Sequence, residues 1–174
     1  SVTEIFEKLY GLMIKKKLYA GSKNFPEISE FEKELFDICS NYSMTSFDGM
    51  FSLMKSLDFI IQNNVDGDFV ECGVWKGGNL IMFQKYIEKY NLNKKIYAYD
   101  TFEGMSEPAE IDKTFEGESA SLQLDKLEKK KVDRKKNILV ADCSLEEVKN
   151  NLEKYTTSTN LTSIKGKVED TLIN

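Results

Sequence analysis

Glu71, Gly73, Gly77, Gly78 and Asp100 are the residues whose types and spacing invite chemistry. The first four lie in DFVECGVWKGGNL (residues 68–80), where an apolar run containing an acid gives way to glycines and then to a helical pattern. Glycines at such a turn accept positive φ and let a ligand approach the backbone closely. The helix N-terminus adds a partial positive charge. The spacing narrows the ligand. A pyrophosphate site reads G-x-G-x-x-G, whereas here Val74, Trp75 and Lys76 follow Gly73 and the pattern is G-x-x-x-G-G. A Walker A loop is excluded too, because no G-K-[ST] follows. An acid two residues before the first glycine suits a cationic amino group, not a phosphate.

A second apolar run, KIYAYD, ends in Asp100-Thr101-Phe102-Glu103-Gly104. An acid at this distance past the glycines typically hydrogen-bonds ribose hydroxyls, and Phe102 offers a flat face for a purine. Ribose, adenine and an ammonium group without a pyrophosphate describe S-adenosylmethionine. The plainer alternative makes Glu71 and Asp100 strand-end acids and Phe102 a core residue. The two acids, combined with glycines in the right order, favour the ligand.

The positioning elements follow from periodicity. Apolar residues at helical spacing predict helices over residues 3–18, 28–40, and from a Thr45 or Ser46 cap to about Gln62. These make residues 1–62 a helical cap. From residue 63 the period changes. Asp68–Val74 reads as a buried strand, Asn79–Tyr90 as a helix and Lys95–Asp100 as a second strand, together a right-handed βαβ unit with parallel strands. Met105–Leu124, rich in Glu, Ser, Gly and Pro, reads as a long loop of the length that is usually a lid or a disordered segment; Glu116 and Glu118 in it read as solvated acids, with contact to an acceptor as the alternative. Leu124–Lys136 reads as a charged helix with a solvated lysine face. Ile138–Ala141 reads as a short strand. Ser144 with Glu147 marks a capping box that opens a helix to about Tyr155, and Thr162–Val168 reads as a further strand. Residues 63–174 thus read as an α/β unit with parallel strands.

Bulk properties exclude several classes. The 174 residues are 41% hydrophobic and 30% charged, which suits one globular domain. A net charge of -5 argues against a nucleic-acid partner. No apolar run reaches the ~18 residues of a membrane span, and the charged N-terminus is no signal peptide. Three cysteines at unpatterned spacing (Cys39, Cys72 and Cys143) fit neither a disulfide framework nor a zinc site and read as reduced core thiols in the cytoplasm. There is no histidine, so acid–base work falls to carboxylates, Lys or Tyr.

DFVECGVWKGGN followed by KIYAYDTFEGM resembles the macrocin O-methyltransferase (TylF-like) family of class I S-adenosylmethionine-dependent methyltransferases. Ser43-Met44-Thr45-Ser46 upstream, and SLEEVKNNLEKY and SIKGKVEDTL downstream, resemble further family segments in the same order. The likeness runs from about Met44 to Leu172; the first 40 or so residues match nothing assignable. It implies a Rossmann-like fold and a sugar hydroxyl, in a small molecule or a glycan, as methyl acceptor. Glu71, Gly73 and the Gly77-Gly78-Asn79 turn would hold the methionine end, Asp100 the ribose, and Thr101 and Phe102 the adenosine side. Met44 and Thr45 would close over the cofactor, and Gly166 would lie near the adenine edge.

The family's acidic strand end, which binds magnesium, lies beyond the matched segments. The expectation is therefore a fold apparently truncated after its third parallel strand, with magnesium only in the complete protein. The first strand would then present a bare edge, making the segment poorly stable alone or completed by another chain, with a homo-oligomer as one form of completion. A non-sugar acceptor such as a small phenol, or a non-catalytic Rossmann-like module, are the competing functions.

Overall fold

The computed structural model describes residues 28–114, 116–129, 141–157 and 160–172. The helix expected over residues 3–18, and residues 130–140 of the expected charged helix and short strand, lie outside the described residues.

Among the described residues, two cap helices come first. α1 (Glu30–Cys39) opens with a capping box in which the Ser29 side chain receives the Glu32 amide and the Glu32 carboxylate receives the Ser29 amide. Glu32 is buried because it also receives Lys55 Nζ at 2.6 Å, which ties α1 to α2. α2 (Phe47–Gln62) is capped by Ser46, not Thr45. β1 (Phe69–Cys72), α3 (Gly78–Tyr90) and β2 (Ile96–Asp100) form the expected βαβ unit. α4 (Ala120–Lys129), α5 (Leu145–Glu153), β3 (Leu161–Lys165) and the short α6 (Val168–Thr171) complete the described chain. The capping box at Ser144 and Glu147 is present.

The three strands form one parallel sheet in the order β1-β2-β3, with Glu71 opposite Ala98 and Asp100 opposite Lys165. α3 is buried through Leu80, Ile81, Met82, Phe83, Gln84, Tyr86 and Ile87, almost all round its axis. It can be so because the sheet lies on one side of it, with Phe69 stacked on Phe83 at 5.0 Å, and the cap on the other, with Phe31 edge-on to Tyr86 at 5.4 Å. One buried cluster therefore runs from Leu35 and Met54 in the cap to Ile96 and Ala98 in the sheet.

Several expectations are corrected. β1 is shorter than Asp68–Val74 and is not buried on both faces. Phe69 is 7% exposed but Val70 is 55% exposed, because β1 is a sheet edge among the described residues and helix α3 covers only one face. Cys72 shares the open face, so only Cys39 and Cys143 are buried thiols. The third strand ends at Lys165. Gly166 turns the chain at φ +147° and Val168 starts a helix, so Gly166 is a turn residue beyond the strand. The long loop ends earlier than Leu124, at Ala120. Ala141 is described and lies outside any strand, at φ +48°.

Candidate functional site

A cavity of about 450 Å³ opens over the carboxyl ends of all three strands, a size within the range of small-ligand sites. Gly73 follows β1, Asp100 and Thr101 end β2, and Gly166 and Lys167 follow β3; all line it. Met44, on the approach to α2, and Met105, in the loop after β2, form its sides.

The Asp100 carboxylate organises this end of the sheet. Its Oδ2 accepts the backbone N–H of Val74 at 2.6 Å and of Trp75 at 3.2 Å. Its Oδ1 accepts the Phe102 N–H at 2.7 Å. The Thr101 hydroxyl lies 3.4 Å from the same oxygen but gives its one hydrogen to the Gly104 carbonyl at 2.8 Å. A carboxylate offers about four acceptor positions, so three are in use and one is left for a ligand hydroxyl. The acid thus latches the loop after β1 to the end of β2.

The glycines divide into two kinds. Gly73 sits at φ +87° and a Cβ built on it would meet nothing within 4 Å. It leaves open space toward the cavity, as close ligand approach requires. Gly77 and Gly78 instead serve packing. A Cβ on Gly77 would lie 2.8 Å from Leu152 of α5, and one on Gly78 would lie 2.8 Å from the Cys39 carbonyl oxygen. The Gly78 N–H is spent on the Tyr42 carbonyl at 3.0 Å. These two glycines let α3 dock between the cap and α5, and neither lines the cavity.

Glu71 and Asn79 meet behind the loop, Asn79 Nδ2 donating to Glu71 Oε1 at 2.9 Å. Glu71 Oε2 and Asn79 Oδ1 are both buried without a hydrogen-bond partner. Two neighbouring orphan acceptors lack a donor, and an ammonium group, with three N–H bonds to give, suits such a pair. Burial pushes the Glu71 carboxyl up to about 7; the Asn79 hydrogen bond pulls the other way, and the Asp100 charge adds a further push. The folded value lies above the ordinary 4.5, so the folded state holds the extra proton between the two. Stability is then highest below about 4.5 and is lost as the pH rises toward 7. Glu71→Gln is expected to match the wild type near pH 4.5 and to exceed it by about 3 kcal/mol at pH 8. Urea unfolding midpoints at the two pH values check this; a gap that does not widen with pH would exclude Glu71 ionisation as its source.

Of the residues singled out from sequence, Met44, Gly73, Asp100, Thr101 and Gly166 come together around the cavity, while Thr45, Glu71, Gly77, Gly78, Asn79 and Phe102 do not line it. Phe102 is 4% exposed and belongs to the core cluster. Its backbone is left-handed at φ +52°, and the ring is sequestered in the core instead of covering a purine. Sequence reasoning missed Trp75, Tyr99 and Met105, which line the cavity. Trp75 lies in plain view between the glycines, where the spacing alone makes it a filler position. Among the described residues, no group of three or more Cys, Asp or Glu comes together to hold a metal ion. No helix among them is long and apolar enough to cross a membrane.

The family model for macrocin-O-methyltransferase (TylF) matches residues 32–174. The chain belongs to this family. Over 70 residues it is 27% identical to demethyldecarbamoylnovobiocin O-methyltransferase of Streptomyces niveus, a match covering 40% of this chain and 27% of that protein. Over 67 residues it is 28% identical to the 8-demethyl-8-(2,3-dimethoxy-alpha-L-rhamnosyl)-tetracenomycin-C 4'-O-methyltransferase of Streptomyces olivaceus, covering 38% of this chain and 26% of that one. The matched stretches thus span about a quarter of these relatives. The structure of the O-methyltransferase NovP superposes with a TM-score of 0.55 at 24% identity, over 95% of this chain and 66% of NovP. The likeness gives a methyltransferase fold of Rossmann-like α/β type, of which this chain carries three parallel strands among the described residues.

Proposed function

We propose that this member of the macrocin-O-methyltransferase family holds S-adenosylmethionine over its strand ends and serves O-methylation of a sugar hydroxyl in a glycosylated metabolite or surface polysaccharide. The observation that carries the cofactor reading is the convergence of Asp100 and the open Gly73 on one cavity. The sugar acceptor draws support from the tetracenomycin relative, whose name places a rhamnosyl group on its substrate. The cofactor would supply an electrophilic methyl group. The chain's own residues contribute position: Gly73 admits the ligand, Asp100 fixes the loop, and Met44 and Met105 wall the site. Alignment of donor and acceptor is worth several kcal/mol of barrier in such transfers. Without histidine in the chain, any base supplied by it is a carboxylate, Lys or Tyr.

Calorimetric titration with S-adenosylhomocysteine tests the reading, with NAD as control and circular dichroism to establish folding. Micromolar binding of S-adenosylhomocysteine alone is expected. A folded chain that binds neither, or binds NAD, overturns the reading.

A further inference from the structure

Trp75 has a backbone conformation that its side chain does not favour. It is left-handed at φ +49°, where a bulky residue is an outlier. Gly73 and Gly77 on either side take positive φ without strain, yet position 75 carries the largest side chain of all. The surroundings enforce the shape. The Trp75 N–H is held by Asp100 Oδ2 at 3.2 Å, the Gly77 N–H by the Val74 carbonyl at 3.0 Å, and the Lys76 carbonyl by Asn151 Nδ2 at 3.2 Å. Strain maintained by this many partners marks a functional position.

The result of the strain is where the indole goes. Trp75 packs partly on the core and lines the cavity, as do Tyr99, Met44 and Met105 and the polar residues Asp100, Thr101 and Lys167. Within this mixed lining the rings and thioethers are the groups that offer little hydrogen bonding. A sulfonium has no N–H or O–H, so hydrogen-bond acceptors cannot grip it as they grip an ammonium. Aromatic faces can, through the ring quadrupole, and Trp is the strongest of them. The indole already draws one cation, Lys76 Nζ, to 4.6 Å from its ring centroid.

We infer that Trp75 recognises the positively charged sulfur of the methyl donor and thereby separates the donor from its spent product, whose sulfur is neutral. This rests on the cofactor reading above. Tyr99 is the second aromatic of the cavity lining and Asp100 an anion in the same lining.

The test is calorimetric titration of the full chain with S-adenosylmethionine and S-adenosylhomocysteine, for the wild type, Trp75→Leu and Trp75→Phe. Thermal melts by circular dichroism establish that each variant is folded. Trp75→Leu is expected to weaken S-adenosylmethionine about five- to thirtyfold, the worth of one cation–π contact, with S-adenosylhomocysteine changing less than about threefold. Trp75→Phe, which keeps a weaker ring, falls between, and it carries the test alone if the leucine variant does not fold. Equal weakening of both ligands, or no change in either, overturns the inference. If the wild type binds neither ligand, the cofactor reading fails first and this inference falls with it. If the wild type binds both, the cofactor reading stands and the ratio between the ligands decides.

Discussion

Gly78→Val is expected to cost the fold about 3 kcal/mol, the upper part of the range for overpacking a filled site. The first side-chain atom would lie 2.7 Å from Ser43 Cβ, 2.8 Å from the Cys39 carbonyl oxygen and 2.9 Å from the Tyr42 carbonyl carbon. Two of these three neighbours are backbone, which cannot rotate away as a flexible side chain would. The Gly78 N–H bond to the Tyr42 carbonyl at 3.0 Å fixes the same approach, so relief requires the cap to back off α3 and breaks that bond. The urea unfolding midpoint should fall, with the cap helices and the sheet losing stability together because they share one buried cluster. Gly67→Ala is the control. Gly67 also has positive φ, at +98°, but a Cβ there would meet nothing within 4 Å, so only backbone strain of about 1–2 kcal/mol remains. Equal losses in the two variants would mean that the close packing at Gly78 contributes nothing.

Asp100→Ala is expected to damage both the fold and ligand binding. Removing the carboxylate leaves the N–H groups of Val74, Trp75 and Phe102 without their acceptor. Leaving buried donors unsatisfied costs about 1–3 kcal/mol each where water cannot replace the acceptor. This end of the sheet is half-buried, so a total of about 3 kcal/mol is expected. The loop carrying Gly73 and Trp75 then loses its anchor, and S-adenosylhomocysteine binding should fall at least about a hundredfold, the worth of two lost charge-assisted hydrogen bonds. Asp100→Asn separates the two roles. Its amide keeps one acceptor oxygen but turns a donor toward donors, so it should lose most of the binding while losing less stability than alanine. Binding unchanged in both variants would remove Asp100 from the site.

Much of the architecture is legible in the sequence because it depends on near neighbours. Ser29 with Glu32 and Ser144 with Glu147 cap helices three residues away, and the apolar period of α3 and the apolar and aromatic run of β2 declare themselves locally. The order strand, helix, strand leaves few connections open, and the parallel pairing of β1 with β2 follows from it. The acid at the end of β2 and the first glycine after β1 are also within reach, since strand ends in a parallel sheet converge on one rim.

What sequence could not decide is which way a side chain leaves a turn. Trp75 and Phe102 are both aromatic residues at strand ends and both take positive φ. One lines the cavity and the other is buried in the core. The backbone at Trp75 is held by Asp100 across 25 residues, which no local pattern records. The same holds for the glycine pair. Gly77 and Gly78 look like ligand-binding glycines by spacing, but their missing Cβ atoms make room for Leu152 and for the backbone at Cys39 and Tyr42, partners that only the folded chain brings near. Local periodicity and capping therefore determined the elements and their order. The tertiary structure alone decided which strand-end residues face the ligand, because that choice rests on long-range hydrogen bonds and close backbone contacts.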